Sequence, residues 1–283
     1  MADIQNYVFI DGNYLRRAYE DEMRKFFPSE SVDAAALDLD HIKNTLGASK
    51  AFYYDAVDEL LGASGQVPDR KTGRATATER QHDLLDRISS LDGFHVRKGS
   101  ITGSKRTQKQ VDVQLAVDAL VHAFNKNMWH VSLITGDLDF KPLVDALVNL
   151  GIHVHLYYDR ASASRTLYQA ADVAVPMTIK TYWSWSHRQF KRAHRIPEEM
   201  PCGTDNGHPP NVHTLDGRGR WHDREVRAYT MQDPKDYFLL FVGEHSGWGD
   251  PGFAWQHHSW SEMETFFGLV HGDAIEWAER PPY

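Results

Sequence analysis

The chain has 283 residues, of which 41% are hydrophobic, 12% aromatic and 25% charged, with a formal net charge of −8. That length suits one large or two medium domains, and the apolar share excludes disorder throughout. The acidic balance argues against a general nucleic-acid coat, whose affinity rests on neutralising phosphates, but not against an enzyme whose clustered carboxylates bind cations. No apolar run approaches the ~20 residues of a membrane helix, the N-terminus lacks the basic, apolar, small-residue order of a signal peptide, and Cys202 is the sole cysteine. A cytoplasmic protein with no membrane partner is expected.

Asn6 to Asp11 is a short β-rich apolar run ending in an acid, and after Gly12 an amphipathic stretch runs from Tyr14 to Phe27 before Pro28. The pattern predicts strand, turn, helix. A second helical segment follows from Val32 to about Leu46, and the aromatic-rich run Lys50 to Val57 predicts a buried strand. Gly62 to Ala77 is polar and reads as a surface loop, Thr78 to Leu91 as a helix, and Gly93 to Ile101 as a third strand. Beyond a basic loop, Thr102 to Gln110, a long helix is predicted from Asp112 to Asn125. Val113, Ala116, Val117, Leu120, Val121 and Phe124 form its expected sheet-facing stripe. Trp129 to Thr135 predicts a fourth strand, Phe140 to Leu150 a helix, Ile152 to Tyr158 a fifth strand, Ser164 to Ala171 a short helix, and Val173 to Val175 a last small strand before Pro176.

Strands alternating with helices at these spacings predict an α/β domain, residues 1–176, with a mostly parallel sheet flanked by helices. Residues 177–220 read as a linking helix, Lys180 to His194, and a loop rich in Pro, Gly and Asn. Residues 221–283 read as a smaller aromatic-rich β or α+β module. In the linking helix Trp183, Trp185, Arg188, Lys191 and Arg192 offer either a single-strand stacking surface or packing between the two domains.

Function in a parallel sheet gathers at the carboxyl ends of its strands. Asp11 and Asp137 both end predicted strands. Asp139 follows Asp137 by two residues on a turn entering a helix, and Asp112 begins a helix after a flexible loop. Several carboxylates converging on a small volume are what a hard divalent cation and metal-assisted hydrolysis of a phosphodiester require. Each Asp alone is equally a helix N-cap, and the convergence of four favours the metal site.

Val8 to Gly12, Lys109 to Asp118, and Thr135 to Phe140 running on to Gly151 together resemble the NYN branch of the PIN-like nucleases, over about Asn6 to Pro176. The resemblance implies a PIN-like fold, Mg²⁺ or Mn²⁺ held by acidic residues, and hydrolysis of RNA. By position, Asp11, Asp112, Asp137 and Asp139 take the family's acidic places. Asp118 also matches a family acid, but six residues beyond Asp112 it points to another helix face, and it ranks as a lesser candidate. Where members often carry Asn three residues after the first Asp, this chain has Tyr14, with Asn13 one place earlier. Thr135 replaces a frequent Ser and keeps the hydroxyl.

Asn13, Thr135, Lys105, Arg106 and Lys109 are therefore the candidate substrate contacts, with Lys109 the preferred phosphate ligand. The sixteen histidines invite a zinc reading, yet His187, His194, Cys202, His208 and His213 fit no compact ligand spacing. The expected partner is RNA, single-stranded or structured, with a second copy or another protein as a further partner through the C-terminal module. Two rivals stay open: a nuclease acting on DNA or from a 5′ end, and a non-catalytic RNA-binding scaffold in which the acids are caps.

Overall fold

The computed structural model describes residues 5–27, 36–57, 77–100, 109–200, 212–243 and 252–283. Backbone contacts divide the chain into two compact units, Met1–Lys191 and Arg192–Tyr283. No described helix is long and apolar enough to cross a membrane.

In the first unit, β1 (Asn6–Asp11) leads into α1 (Gly12–Phe26), then α2 (Leu39–Thr45), β2 (Lys50–Val57), α3 (Ala77–Ser89), β3 (Phe94–Ser100) and α4 (Lys109–Phe124). After these come β4 (His130–Ile134), a 3-10 turn (Leu138–Phe140), α5 (Lys141–Asn149), β5 (His153–Asp159), α6 (Arg165–Tyr168), β6 (Val173–Met177), α7 (Ile179–Ser184) and α8 (Arg188–Ala193). The six strands form one sheet in the order β3-β2-β1-β4-β5-β6. Every pairing is parallel. The expected α/β architecture is the one observed, and the strand and helix positions agree within a few residues wherever the chain is described.

Phe9, Phe52, Leu133 and Leu156 on one sheet face meet Leu115 of α4 and Leu147 of α5 in a continuous buried core. Alternation along β1 turns Val8 and Ile10, both fully buried, to the opposite face. There α1 packs beside α7, with the Tyr19 hydroxyl 3.0 Å from Ser186 Oγ and the Tyr19 and Tyr182 rings edge to face. The segment read as a linking helix is therefore two short helices, and α7 is part of the first unit. Trp185 is buried there against Tyr157 and Tyr182.

The expected stripe of α4 is corrected in part by the structure. Ala116 and Leu120 pack against the core, but the buried sheet-facing residues are Val111, Leu115, Ala119 and Ala123, while Val113, Val117, Val121 and Phe124 are exposed, Phe124 by 68%. The helix is apolar on two sides, so periodicity alone does not choose the face. The small Ala119 and Ala123 let the helix lie close to the strands.

The second unit holds a six-stranded antiparallel sheet, β12-β8-β9-β10-β11-β7. Its strands are β7 (Glu198–Met200), β8 (Val212–Trp221), β9 (Arg224–Met231), β10 (Phe238–Val242), β11 (Phe253–His257) and β12 (Glu276–Glu279), and α9 (Trp260–His271) precedes the last. The stretch read as loop thus contains β7 and β8. Gly217, a loop signal in sequence, sits within β8, where a Cβ would come 2.7 Å from the Pro281 ring. Its absent side chain admits the C-terminal segment.

The two faces of α4 make a direct stability test. Leu115→Ala is expected to cost about 2–5 kcal/mol in urea unfolding. Val117→Ser and Phe124→Ser should each stay within about 0.5 kcal/mol of the parent, and the reverse ranking contradicts the observed face.

Candidate metal and nucleic-acid site

At the end of β1 the chain turns directly into α1, and Asp11 is the cap: its Oδ1 accepts from the Tyr14 backbone N–H at 3.0 Å. Its Oδ2 accepts from the Thr135 hydroxyl at 3.3 Å. Thr135 follows β4, is fully buried, and its Oγ1 accepts in turn from the Asp137 N–H at 3.3 Å. Asp137 Oδ1 accepts from the Asp139 N–H at 2.9 Å where the 3-10 turn begins. One buried hydroxyl therefore couples the acid at the end of β1 to the acid after β4. Thr135, a candidate substrate contact, is fully buried, and its hydroxyl is hydrogen-bonded to both acids.

Asp11, Asn13, Asp112 and Asp137 line an open cleft of about 750 Å³, with Asp159, Arg17 and Lys25 on its walls. Asp112 lies in the first turn of α4. Asp139 is exposed and near enough to act electrostatically on Asp112. Burial, aided by the charges of Asp55 and Asp137, pushes the Asp11 carboxyl up to about 6 despite its two hydrogen bonds. Asp112 is likewise pushed up to about 6, by burial first and then by Asp11, Asp137 and Asp139.

None of these four carboxylates is paired with a basic side chain among the described residues. Their uncompensated charge and all-oxygen chemistry fit a hard divalent cation. No three of them bring oxygens within 4.8 Å of one another.

The remaining sequence candidates divide. Asp118 accepts from the Tyr54 hydroxyl at 2.9 Å and from Arg97 Nε at 3.1 Å, an ion pair among partners outside the cleft lining. Lys109 opens α4, and Lys105 and Arg106 lie outside the described residues.

Two acids at or beside the site were not singled out by the sequence. Asp55, near the end of β2 and 1% exposed, pairs with Arg16 at 2.7 Å, yet burial still pushes it up to about 6. Its strand-end position, shared with Asp11, was the available signal. Asp159, the last residue of β5, lines the cleft and donates its backbone N–H to the Tyr14 hydroxyl at 2.6 Å. The Tyr14 ring lies over Gly136, where a Cβ would meet it at 2.6 Å, so glycine is required between Thr135 and Asp137.

A parallel sheet with carboxylates gathered at the C-terminal ends of its strands is the frame of a PIN-like nuclease. A family model, the NYN domain, matches residues 6–178, and the chain belongs to that family, a branch of the PIN-like nuclease superfamily. No curated protein matches it. Among solved structures, one similar chain is a protein of unknown function from Vibrio parahaemolyticus. It is 17% identical, with a TM-score of 0.44 over 66% of this chain and 99% of that one.

The raised Asp11 carboxyl has a signed consequence for stability. The unfolded chain releases this proton near the ordinary 3.8 and the fold near 6, so the fold loses stability as pH rises through that window and bears the full penalty above it. Asp11→Asn keeps an acceptor for Tyr14 and has no charge to bury. In EDTA at pH 7 it is expected to be more stable than the parent by about 2 kcal/mol, and the gain should vanish near pH 4. A variant less stable at neutral pH contradicts the electrostatic reading.

Proposed function

We propose that the protein is a metal-dependent ribonuclease that hydrolyses RNA phosphodiester bonds in the cleft between β1, β4 and α4. NYN membership marks a nuclease of the PIN-like superfamily, a superfamily that generally uses divalent metals, and NYN nucleases typically act on RNA. The observation that carries the reading to this chain is the set of unpaired carboxylates arriving from separate segments at the strand ends. Capping of Tyr14 and of Asp139 uses one oxygen each of Asp11 and Asp137 and leaves Asp112 unexplained, whose carboxyl is raised first by burial and then by Asp11, Asp137 and Asp139.

In this reading Asp11 and Asp137 are the principal ligands of Mg²⁺ or Mn²⁺, and Asp112 and Asp139 complete the site or orient water. When bound, the ion supplies charge neutralisation at the phosphate and a water of lowered pKa. The chain's own work is positional. The Thr135 hydroxyl fixes the facing oxygen of Asp11, and Tyr14 braces the turn through Asp159 and Gly136. Asp112, raised to about 6, is suited to hold a water hydrogen bond and accept its proton near neutral pH. Arg17 and Asn13 on the cleft wall, with Lys109 at the start of α4, meet the RNA backbone.

The test is cleavage of labelled single-stranded and structured RNAs and matching DNAs by the parent and Asp137→Asn, in Mn²⁺, Mg²⁺ and EDTA. RNA cleavage should require metal and fall by about 100-fold or more in the variant, with DNA left intact. Undiminished cleavage by Asp137→Asn overturns the site, and preferential DNA cleavage overturns the substrate.

A further inference from the structure

At the other end of the sheet from the acid cleft, three histidines meet on one face. His130 is the first residue of β4 and His153 the first of β5, and they are direct partners in the parallel register. His155 lies two residues along β5 and so shares the face. Their ring centroids are 4.2–5.4 Å apart. One ring nitrogen from each lies within 4.8 Å of the others.

We propose that His130, His153 and His155 form a second metal site, specific for a borderline transition ion of the Zn²⁺ type. Neutral imidazole nitrogens suit such ions, whereas Mg²⁺ and Mn²⁺ prefer the oxygens of the acid cleft. Two features beyond proximity support it. His130 Nε2 is buried with no hydrogen-bond partner among the described residues, which is costly for a ring nitrogen unless a ligand satisfies it. Asp172 Oδ2 lies 3.6 Å from His153 Nδ1 and is itself held by the Val154 N–H at 2.8 Å. A carboxylate at Nδ1 orients the ring and leaves Nε2 for a metal.

Three protein nitrogens leave a fourth tetrahedral position to water. Ligand nitrogens that lie within 4.8 Å of one another have to come to roughly 3.4 Å, the spacing set by Zn–N bonds of about 2.0–2.1 Å, and the exposed His153 ring can turn about its Asp172 contact to do so. The ion ties β4 to β5, the strands whose far ends lead to Asp137 and carry Asp159. The other clustered group, His257 with His258 and Glu262, offers two histidines that are consecutive in sequence and a single carboxylate, not three imidazoles.

The experiment is a Zn²⁺ titration of the full chain against a chromophoric chelator, with excess Mg²⁺ present to occupy the acid cleft. One saturable equivalent is expected, weakened about 10-fold or more by His153→Ala, by His155→Ala and by Asp172→Asn, and unchanged in His257→Ala and Asp137→Asn. His153 is exposed, so its variant keeps the fold, and circular dichroism checks each protein. Absence of saturable binding overturns the proposal, as does binding that survives the paired His153→Ala and His155→Ala substitutions or is lost in His257→Ala or Asp137→Asn.

Discussion

The parallel pairing of β1 with β2 on one side and β4 on the other is the constraint on which the site depends. Ile10 aligns with Tyr53 and with Ile134, so Asp11 and the Thr135-Gly136-Asp137 turn leave the sheet at the same level, with Asp55 one residue beyond the Asp11 partner Tyr54 on the neighbouring strand. Parallel strands share the direction of their carboxyl ends, and residues far apart in sequence are delivered to one edge by backbone hydrogen bonds alone. The side chains then refine what the sheet supplies. Thr135 bridges the acids of β1 and β4, and the Tyr14 ring closes over the only residue type, glycine, that fits beneath it.

That delivery is electrostatically unfavourable in the absence of a cation. Asp11 and Asp55 are buried, Asp112 is half-buried, and all three are pushed up to about 6. The molecule treats them differently. Asp55, the deepest, is neutralised by Arg16 and further held by its neighbour's backbone N–H and by Gln81. Asp11 receives hydrogen bonds, and among the described residues neither Asp11 nor Asp112 is paired with a basic side chain. An internal acid compensated by the fold and outer acids left for a solvent-borne ion is the arrangement of a site held at some cost in stability. Asp11 and Asp137 do serve as caps, as a structural reading of lone aspartates expects. Capping uses one oxygen of each and does not account for their mutual proximity.

Most of the first unit was legible because its strands are short apolar runs closed by Gly or Asp and its helices carry clear 3.6-residue spacing. The strand-end rule then sufficed to bring Asp11 and Asp137 together. The errors have physical causes. In α4 both faces are apolar, and only the shape of the sheet selects Leu115 over Val117. In β8 glycines serve close packing, not turns, and a strand was read as loop. Asp55 was hidden inside an aromatic strand, where its pairing with Arg16 follows from α1 crossing β2, a tertiary fact. The three histidines at the start of β4 and β5 were invisible for the same reason: 23 residues separate His130 from His153, and only parallel register joins them.

The central claim is that the acids at the strand ends form one divalent-cation site. Electron paramagnetic resonance of Mn²⁺ titrated into the parent and into Asp137→Asn tests it without reference to any substrate. The account predicts a bound Mn²⁺ signal that saturates in the parent, is displaced by Mg²⁺, and is lost or strongly weakened in the variant. Equal Mn²⁺ binding by the two proteins, or none by the parent at millimolar metal, contradicts it.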